Sequence, residues 1–300
     1  MQKVLFILGP TGVGKTALSV ELAKEFNGEI ISADSVQVFK EFDIGSAKVT
    51  AEEMQGVTHY GLDVVSPSEE FSASDFVAYT KKMIEKIALK GKLPIIVGGT
   101  ALYVKSLVEG YNFGDTEKHP DFRIELENEI QKYGLESVYN KLKKESPELA
   151  LQIDGKNKVR VIRAFEILKF GTAKEKSINE IEYNYKIFSL TMPREKLYER
   201  INKRAQIMIE NGLIEEVDAL YKKYGECQPM RAIGYKEVVP YLKGEISLKS
   251  MEELISQHTR NYAKRQLTFL RGMDNIDFVD VLQEQDKQNM KKEISEWLNA

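Results

Sequence analysis

The fold is decided by one stretch near the N-terminus, Val4-Leu5-Phe6-Ile7-Leu8-Gly9-Pro10-Thr11-Gly12-Val13-Gly14-Lys15-Thr16. Its first five residues have the composition of a buried strand, and the rest fits the pattern G-x-x-x-x-G-K-S/T. A run typical of a helix follows directly. Backbone N–H groups of such a turn converge on phosphate oxygens, and the helix N-terminus adds its positive dipole end. The stretch therefore predicts a phosphate-binding loop.

Each residue type in this loop has a use in anion binding. Lys15 supplies a mobile positive charge, and Thr16 offers a hydroxyl to Mg²⁺. The residues that we assign to phosphate binding are Gly9, Pro10, Thr11, Gly12, Val13, Gly14, Lys15 and Thr16. The loop does not say whose phosphates it binds. A nucleoside triphosphate such as ATP and another diphosphate both stay open.

Composition sets bounds on the class of protein. The 300 residues, 42% of them hydrophobic, allow one large or two modest globular domains. No apolar run approaches the length of a membrane span, and the N-terminus starts on a strand without a signal sequence. The one cysteine, Cys227, cannot form an internal disulfide, so we expect a cytoplasmic protein. With a net charge of −3, any nucleic-acid footprint must be local.

The N-terminal third alternates between strand-like and helical runs. Predicted strands are 4–8, 29–32 and 94–97, and predicted helices are 16–26, 74–89 and 100–109. Strands separated by helices indicate an α/β fold, a P-loop NTPase-like parallel sheet flanked by helices. In such sheets ligands bind beyond the carboxyl ends of the strands.

The pattern changes near Asn112-Phe113-Gly114-Asp115, after which no strand is evident until residue 186. We predict an all-helical insertion domain at 115–185, and a core domain made of 1–114 and 186–300 with a helical C-terminal part. Residues 186–191 resemble a returning core strand. Further predictions are a long helix from residue 194 that breaks at 211–212, a helix at 251–270, a strand at 276–279 and a helix at 286–298.

Asp34 follows the apolar strand Ile30-Ile31-Ser32 and has three possible roles. It could hold Mg²⁺ as a Walker-B-like carboxylate, act as a general base, or cap a turn. Spacing alone does not choose between them. Gln37 can pair with an adenine edge, which slightly favours recognition of a base here.

Thr100 ends the stretch Val97-Gly98-Gly99-Thr100, in which the glycines allow close approach of a backbone or ligand. Its hydroxyl either caps the next helix or faces the ligand, and the spacing favours the cap. No metal-ligand spacing exists: His59 and His119 stand apart, and His59 is predicted to be a structural hydrogen-bonder.

Two basic clusters remain. One contains Lys156, Lys158, Arg160, Arg163 and Lys169, and the other contains His258, Arg260, Lys264, Arg265 and Arg271 with Tyr262 and Phe269. Positive charge with interleaved aromatics suits RNA. The competing interpretation is a helix face exposed to solvent without a ligand. For either cluster alone, this interpretation is favoured.

With these residues in view, the chain resembles the tRNA dimethylallyltransferases, or tRNA isopentenyltransferases. The matching stretches span nearly the whole length and include GPTGVGKT, IISADSVQVFKEFDIGSAK, PIIVGGTALYVKSLV, VRVIRAFEI, LYERINKRAQIMIENGLIEEV, MRAIGYKE and TRNYAKRQLTFLR. The SADS-Q-V and final KRQ-T-LR patterns are more specific than the P-loop. Since no zinc-finger sequence of the eukaryotic kind is present, the resemblance is to the bacterial type.

The resemblance implies transfer of a dimethylallyl group from dimethylallyl diphosphate to the exocyclic amine of the adenosine 3′ of the anticodon, tRNA position 37, in tRNAs reading codons that begin with U. It implies that the P-loop holds the donor's diphosphate with Mg²⁺, that Asp34 is the general base, and that Thr100 lies beside the acceptor nucleotide. Arg204 is our candidate for a diphosphate clamp, with Arg194 behind it. We expect a monomer with no membrane partner.

The resemblance also implies which residues contact the tRNA. They are Asp34, Ser35, Val36, Gln37 and Thr100 at the acceptor, and Arg123, Val159, Arg160, Val161, Ile162, Arg163, Arg231, Lys236, Arg265 and Gln266 elsewhere. The helical insertion is implied to bind the anticodon arm. Val159 stands where many members have Gln, and Phe269 where Trp is frequent, so the details of RNA contact depart from the family's.

Two other functions compete with this one. An ATP-dependent small-molecule kinase would use the same P-loop, with Asp34 serving Mg²⁺. A non-catalytic P-loop RNA-binding regulator is the second alternative. A GTPase is disfavoured because the sequence has no N-K-x-D motif.

Overall fold

The computed structural model describes residues 1–109, 119–171 and 183–300. Within them, one sheet has six strands in the order β3-β2-β4-β1-β5-β6, and every neighbouring pair is parallel. The strands are β1 Gln2–Leu8, β2 Gly28–Ala33, β3 His59–Tyr60, β4 Leu93–Gly98, β5 Tyr183–Thr191 and β6 Asp277–Asp280. The predicted α/β fold with a parallel sheet is confirmed.

The helices of the described residues flank this sheet or form the insertion. They are α1 Lys15–Glu25, α2 Ala51–Met54, α3 Ala73–Ala88, α4 Ala101–Val108, α5 Pro120–Tyr133, α6 Leu135–Glu145, α7 Pro147–Leu151, α8 Lys158–Phe170, α9 Arg194–Glu210, α10 Leu213–Tyr224, α11 Val238–Leu242, α12 Leu248–Arg271 and α13 Glu284–Asn299. None of the described helices is long and apolar enough to cross a bilayer. The predicted break between α9 and α10 is confirmed, since Gly212 takes a left-handed conformation there.

Strand β1 lies inside the sheet and is buried on both faces. Val4, Phe6 and Leu8 pack into one hydrophobic cluster, while Leu5 and Ile7 pack into the cluster on the opposite face. Helices cover both sides of a parallel sheet, so a central strand reads as a continuous apolar run. Burying each of these side chains stabilises the fold by about 1.5–3 kcal/mol. Burial on both faces fixes the point at which the P-loop leaves the sheet.

The chain divides into two compact units, Met1–Val108 with Ile181–Ala300, and Glu109–Glu180. The predicted boundary at 114/115 lies outside the described residues. The other predicted boundary is wrong by a few residues, because residues 183–185 already belong to β5. The described part of the second unit contains α5 to α8 and no strand, and its core includes Leu126, Leu142 and Phe165.

Glu29 in β2 is a buried carboxylate with three partners. It accepts hydrogen bonds from Lys90, Lys92 and the Tyr60 hydroxyl at 2.8 to 2.9 Å. Burial on its own raises the pKa of Glu29, but these hydrogen bonds outweigh it and hold the pKa at about 2. Its stabilising contribution is therefore present above the ordinary value of 4.5 and is lost as the pH falls from 4.5 towards 2.

We expect Glu29→Gln to lower the free energy of unfolding by about 1–3 kcal/mol at neutral pH, because charge-assisted hydrogen bonds are lost. Urea titrations from neutral pH down to about pH 3 measure this. The difference between variant and wild type should shrink as the pH falls. Glu296→Gln, which removes an exposed partner of Lys292, is the control and should change stability by less than about 0.5 kcal/mol. Equal stability of Glu29→Gln and wild type would contradict the assignment.

Candidate active site

The loop between β1 and α1 has the backbone of an anion-binding turn. Gly9, Gly12 and Gly14 have φ values of 144°, 83° and 102°, which side chains disfavour. A Cβ on Gly9 would also stand 2.8 Å from the carbonyl oxygen of Leu190 in β5. The glycines are therefore required by the backbone conformation, and α1 begins at Lys15 with its N–H groups facing the loop.

Lys15 folds back over this loop. Its Nζ donates to the carbonyl oxygens of Gly9 and Pro10 at 3.0 and 2.9 Å. Burial and the neighbouring charge of Arg204 lower the pKa of Lys15 to about 8, while Asp34 acts in the opposite direction. Lys15, Arg204 and Asp34 are therefore close enough to influence one another, and the positive charge of Lys15 disappears within a reachable pH range.

This pKa predicts how diphosphate binding depends on pH. The protonated form of Lys15 attracts the anion, so deprotonation above pH 8 weakens binding. We expect the Kd for inorganic diphosphate to rise about tenfold between about pH 7 and pH 9. Calorimetry across this range measures it. Lys15→Arg keeps its charge throughout and should flatten the profile. A flat profile for the wild type would contradict the role of Lys15.

Helix α9 brings further cations to the loop. Arg204 Nη2 donates to Thr11 Oγ1 at 2.5 Å, and the Arg200 guanidinium lies 3.6 Å from where a Cβ on Gly14 would stand. Arg200, Lys203 and Arg204 share one helix face that lines the same cavity. The second clamp candidate, Arg194, is wrong for that role, because it begins α9 and its guanidinium lies over the Tyr198 ring. Sequence reasoning missed Arg200 and Lys203, although their spacing from Arg204 signals a shared face.

Asp34 follows β2 and starts a turn. Its Oδ1 accepts from the N–H groups of Val36 and Gln37 at 2.8 and 3.2 Å. Among the described residues, no hydrogen bond uses Oδ2. One oxygen therefore holds the turn, and the other is available to a proton donor or to Mg²⁺.

Gln37 lines the cavity, but its amide is engaged with protein. Its Nε2 donates to the carbonyl oxygens of Ser46 and Ala47 at 3.2 and 3.1 Å, and its Oε1 accepts from the Ser32 hydroxyl. Bidentate pairing with an adenine edge would require these bonds to break. The adenine-reading hypothesis for this side chain is therefore corrected: Gln37 ties the 46–47 backbone to the Asp34 turn.

Gln266 of α12 is buried and joins two loops. Its Oε1 accepts from the Thr11 N–H at 2.9 Å, and its Nε2 donates to the Gly99 carbonyl oxygen at 2.8 Å. The Tyr262 hydroxyl, one turn earlier, interacts with the side chains of Thr100 and Gln266. Burial and the charge of Asp34 raise the pKa of Tyr262, so its hydroxyl stays protonated. Gln266 thus holds the P-loop in place, and Tyr262, noted from the sequence only as an aromatic of the second basic cluster, is a residue of the cavity wall.

These side chains line one cavity of about 480 Å³. The cavity brings together many of the predicted site residues, namely Thr11, Gly12, Gly14, Lys15, Thr16, Asp34, Gln37, Arg204 and Gln266. Its remaining walls include Ala47, Val49, Glu53 and Leu62, so cations, two carboxylates and apolar surface meet in a single space. Val13 is fully buried, so it shapes the loop from below. His59 bonds to the Val57 carbonyl oxygen, as predicted for a structural residue.

The residues present suit a magnesium ion that arrives with phosphate. The Thr16 side chain is exposed at the cavity, and among the described residues no hydrogen bond uses its hydroxyl. No cluster of three or more histidine, cysteine, aspartate or glutamate side chains able to hold a metal exists in the described ranges. Mg²⁺ commonly uses few protein ligands and takes the rest from phosphates and water. The donor set therefore fits an ion that is shared with phosphate.

The predicted RNA contacts on the core unit are exposed at Arg231, Lys236 and Arg265. Ser35 and Val36 belong to the Asp34 turn and are half-buried. These positions are available to a ligand.

On the helical unit, the predicted RNA contacts in α8 lie on two faces of the helix, one exposed and one buried. Val159 is 71% exposed and Arg160 is also exposed, whereas Val161 and Ile162 are buried in the core of the unit. Contact of the latter two side chains with RNA is therefore ruled out by burial, which corrects that prediction.

Arg123 and Arg163 are partly exposed, and both pair with Glu166. Arg123 Nε lies 2.6 Å from Glu166 Oε1, and Arg163 Nη1 lies 3.3 Å from Oε2. These two bonds lower the pKa of the Glu166 carboxyl against the effect of its burial. Both arginines thus help to hold this unit together.

Comparisons with known proteins identify the family. The family model described as IPP transferase matches residues 37–273. The chain belongs to the IPP transferase family. The tRNA dimethylallyltransferase of Bacillus anthracis is 45% identical over 286 residues, 93% of this chain and 91% of that protein. The enzyme of the same name from Bacillus mycoides (strain KBAB4) is 44% identical, with 93% and 90% covered.

Solved structures of the IPP transferase family agree. The tRNA isopentenylpyrophosphate transferase of Bacillus halodurans has a TM-score of 0.76 at 42% identity, covering 100% of this chain and 97% of that one. A eukaryotic dimethylallyltransferase acting on tRNA has a TM-score of 0.81 at 30% identity, covering 98% and 78%. This IPP transferase family member is thus an enzyme, and its activity is transfer of a dimethylallyl group to a tRNA adenosine.

Proposed function

We propose that the donor is dimethylallyl diphosphate and that the acceptor is the exocyclic amine of adenosine 37, 3′ of the anticodon, in tRNAs reading codons that begin with U. One observation carries this proposal: the P-loop, the cations of α9 and the carboxylate of Asp34 line the same cavity. Such a transfer needs cations that bind the donor's diphosphate and a general base that takes the proton from the acceptor amine. We also propose that the enzyme acts as a monomer in the cytoplasm.

The cationic side chains at the P-loop stabilise the negative charge that develops on the leaving diphosphate. As the allylic carbon–oxygen bond breaks, both electrons stay on diphosphate, whose phosphoryl bonds remain intact. Lys15, Arg204 and the loop N–H groups are in place before this charge develops, which is the condition for strong electrostatic stabilisation. Thr16 would hold Mg²⁺, which would supply further stabilisation of the diphosphate.

Asp34 completes the exchange of bonds. An adenine amine is a weak nucleophile because its lone pair is delocalised into the ring. The carbon–nitrogen bond forms as the carbon–oxygen bond breaks, and the proton leaving nitrogen goes to Asp34 Oδ2. General-base assistance of this kind typically contributes about 10²–10⁴-fold. The interactions of Tyr262 with Thr100 and Gln266 keep this side of the cavity ordered.

The exposed basic residues would bind the RNA backbone. Arg231, Lys236 and Arg265 lie on the core unit, and Arg160 lies on the helical unit that we propose binds the anticodon arm. Phosphate contacts can compensate the few kcal/mol needed to unstack the acceptor base, which is least costly in a loop. Binding of the tRNA should therefore weaken with salt.

Ligand-dependent melting separates this proposal from ATP-dependent phosphoryl transfer. Dimethylallyl diphosphate or its thiolo analogue, with Mg²⁺ and at about 100 times Kd, should raise Tm by roughly 5 °C. ATP under the same conditions should have little effect. Protection by ATP without protection by dimethylallyl diphosphate would contradict the proposed donor.

A further inference from the structure

Glu216 in α10 holds a loop that lies far from it in sequence. Its Oε2 accepts from the N–H groups of Asp43 and Ile44 at 3.2 and 2.7 Å, and its Oε1 accepts from the N–H of Gly45 at 3.1 Å. One carboxylate therefore binds three consecutive backbone donors. Charge-assisted bonds of this kind are stronger than neutral ones.

Tyr235 completes the arrangement from below the loop. Its side chain is fully buried, its ring lies 4.8 Å from that of Phe42, and its hydroxyl donates to Glu216 Oε1 at 2.8 Å. The same hydroxyl accepts from the Ser46 N–H at 3.1 Å. Burial and the charge of Glu216 raise the pKa of Tyr235, so the hydroxyl stays protonated and can donate. A Cβ on Gly45 would collide with the Tyr235 ring, so glycine is needed there.

Residues 43–47, held by Glu216 and Tyr235, are connected to Asp34, the proposed general base. The carbonyl oxygens of Ser46 and Ala47 accept from Gln37 Nε2, and the Gln37 N–H donates to Asp34 Oδ1. Ser46 and Ala47 also form part of the cavity wall. Hydrogen bonds, linked through the backbone of residues 43–47 and through Gln37 itself, therefore connect Glu216 to Asp34, although neither Glu216 nor Tyr235 lines the cavity.

Ala47 shows that this loop is held in a conformation that it does not prefer. Its φ is 49°, a region that non-glycine residues enter at a cost. Such residues persist when their surroundings fix them, and they concentrate at functional sites. The bonds from Glu216, Tyr235 and Gln37 are the surroundings that do so here.

We propose that Glu216 and Tyr235 are positioning residues for the transfer step: through residues 43–47 and Gln37 they hold the Asp34 carboxylate in the orientation that receives the amine proton. This inference rests on the proposed role of Asp34. It assigns no contact with substrate to either residue. The P-loop and α9 cations are tied separately, through Gln266 and Thr11, so diphosphate binding does not depend on this chain of bonds.

Tyr235→Phe tests the proposal with the loss of a single oxygen. We expect kcat to fall about tenfold, since small errors in the placement of a catalytic group are costly. The Kd for inorganic diphosphate should stay within about twofold of the wild-type value, which also shows that the variant is folded. The matched control is Tyr224→Phe, which removes a hydroxyl-to-carboxylate bond to Glu41 near the surface and should leave both quantities unchanged. An unchanged kcat in Tyr235→Phe would overturn the proposal.

Glu216→Gln provides a second variant. An amide has one acceptor oxygen, so its NH₂ group would face backbone donors, and we expect a larger loss of kcat than in Tyr235→Phe. Asp218→Asn on the same helix, which alters an exposed pair with Lys222, is its control. A loss of kcat confined to Tyr235→Phe would overturn the chain of bonds described above.

A double-mutant cycle distinguishes positioning from general destabilisation. If Tyr235 acts through Gln37, adding Tyr235→Phe to Gln37→Ala should lower kcat by less than about twofold more. Full additivity of the two substitutions would overturn the connection through Gln37. Because wild-type transfer is measured first, its absence counts against the proposed function, whereas normal transfer by every variant counts only against this inference.

Discussion

Asp34→Asn should lower kcat for transfer by about 10²–10⁴-fold while keeping the fold and the affinity for tRNA within a few-fold. The asparagine Oδ1 can still accept from the N–H groups of Val36 and Gln37, so the turn is retained. The other carboxylate oxygen becomes an NH₂ group, which cannot take a proton from the amine. Single-turnover transfer with saturating donor, together with filter binding of tRNA, measures both quantities.

Asp34→Ala supplies the comparison that separates the two roles of this side chain. It removes the turn as well as the base, so it should be at least as slow as Asp34→Asn. If Asp34→Asn were near-normal and Asp34→Ala were slow, the carboxylate would serve only the turn. Near-normal turnover in both variants would contradict any catalytic role for Asp34.

Arg204→Gln should produce the second largest loss, about 10²–10³-fold in kcat, because one pre-placed donor to the leaving diphosphate is removed. The guanidinium is held at Thr11 of the P-loop, and burial lowers the pKa of Arg204 against the opposing effect of Asp34. Rapid-quench measurement of diphosphate release reports this step. Arg204→Lys should recover only part of the loss, since the planar fork is missing.

Arg194→Gln is the matched control on the same helix. Its guanidinium lies over the Tyr198 ring, and it is not among the residues that line the cavity. We expect its kcat to stay within about twofold of wild type. Equal losses from Arg194→Gln and Arg204→Gln would indicate that α9 responds as a whole, and would contradict a specific clamp.

The features predicted best from sequence are those whose chemistry lies in consecutive residues. Strand β1, the glycine turn and Lys15 follow one another, so their geometry is local. The two-residue β3 was not predicted, because a strand of this length has no periodicity to read. The returning strand begins at Tyr183, earlier than predicted. Its first residues were not recognised as a strand because Tyr183 and Tyr185 are half-buried, Asn184 is exposed, and the three do not form an apolar run.

Side-chain partners far away in sequence could not be predicted. Gln37 has the right groups for an adenine edge, and nothing local shows that the carbonyl groups of Ser46 and Ala47 bind its NH₂. Glu216 meets residues 43–45 across more than 170 positions. The burial of Val161 and Ile162, in contrast, could have been predicted. In a helix, two apolar residues between polar ones face the core while their neighbours are exposed. The RNA contact was assigned to residues 159–163 as a whole, without separating the buried face of the helix from the exposed one.

The most direct test of the account is mass spectrometry of unmodified tRNA incubated with dimethylallyl diphosphate, Mg²⁺ and the protein. We predict a gain of one dimethylallyl unit, mapped by nuclease digestion to the adenosine 3′ of the anticodon, with release of intact diphosphate. The gain should be absent with ATP in place of the donor and strongly reduced with Asp34→Asn. No gain of mass on any tRNA that reads codons beginning with U would contradict the account.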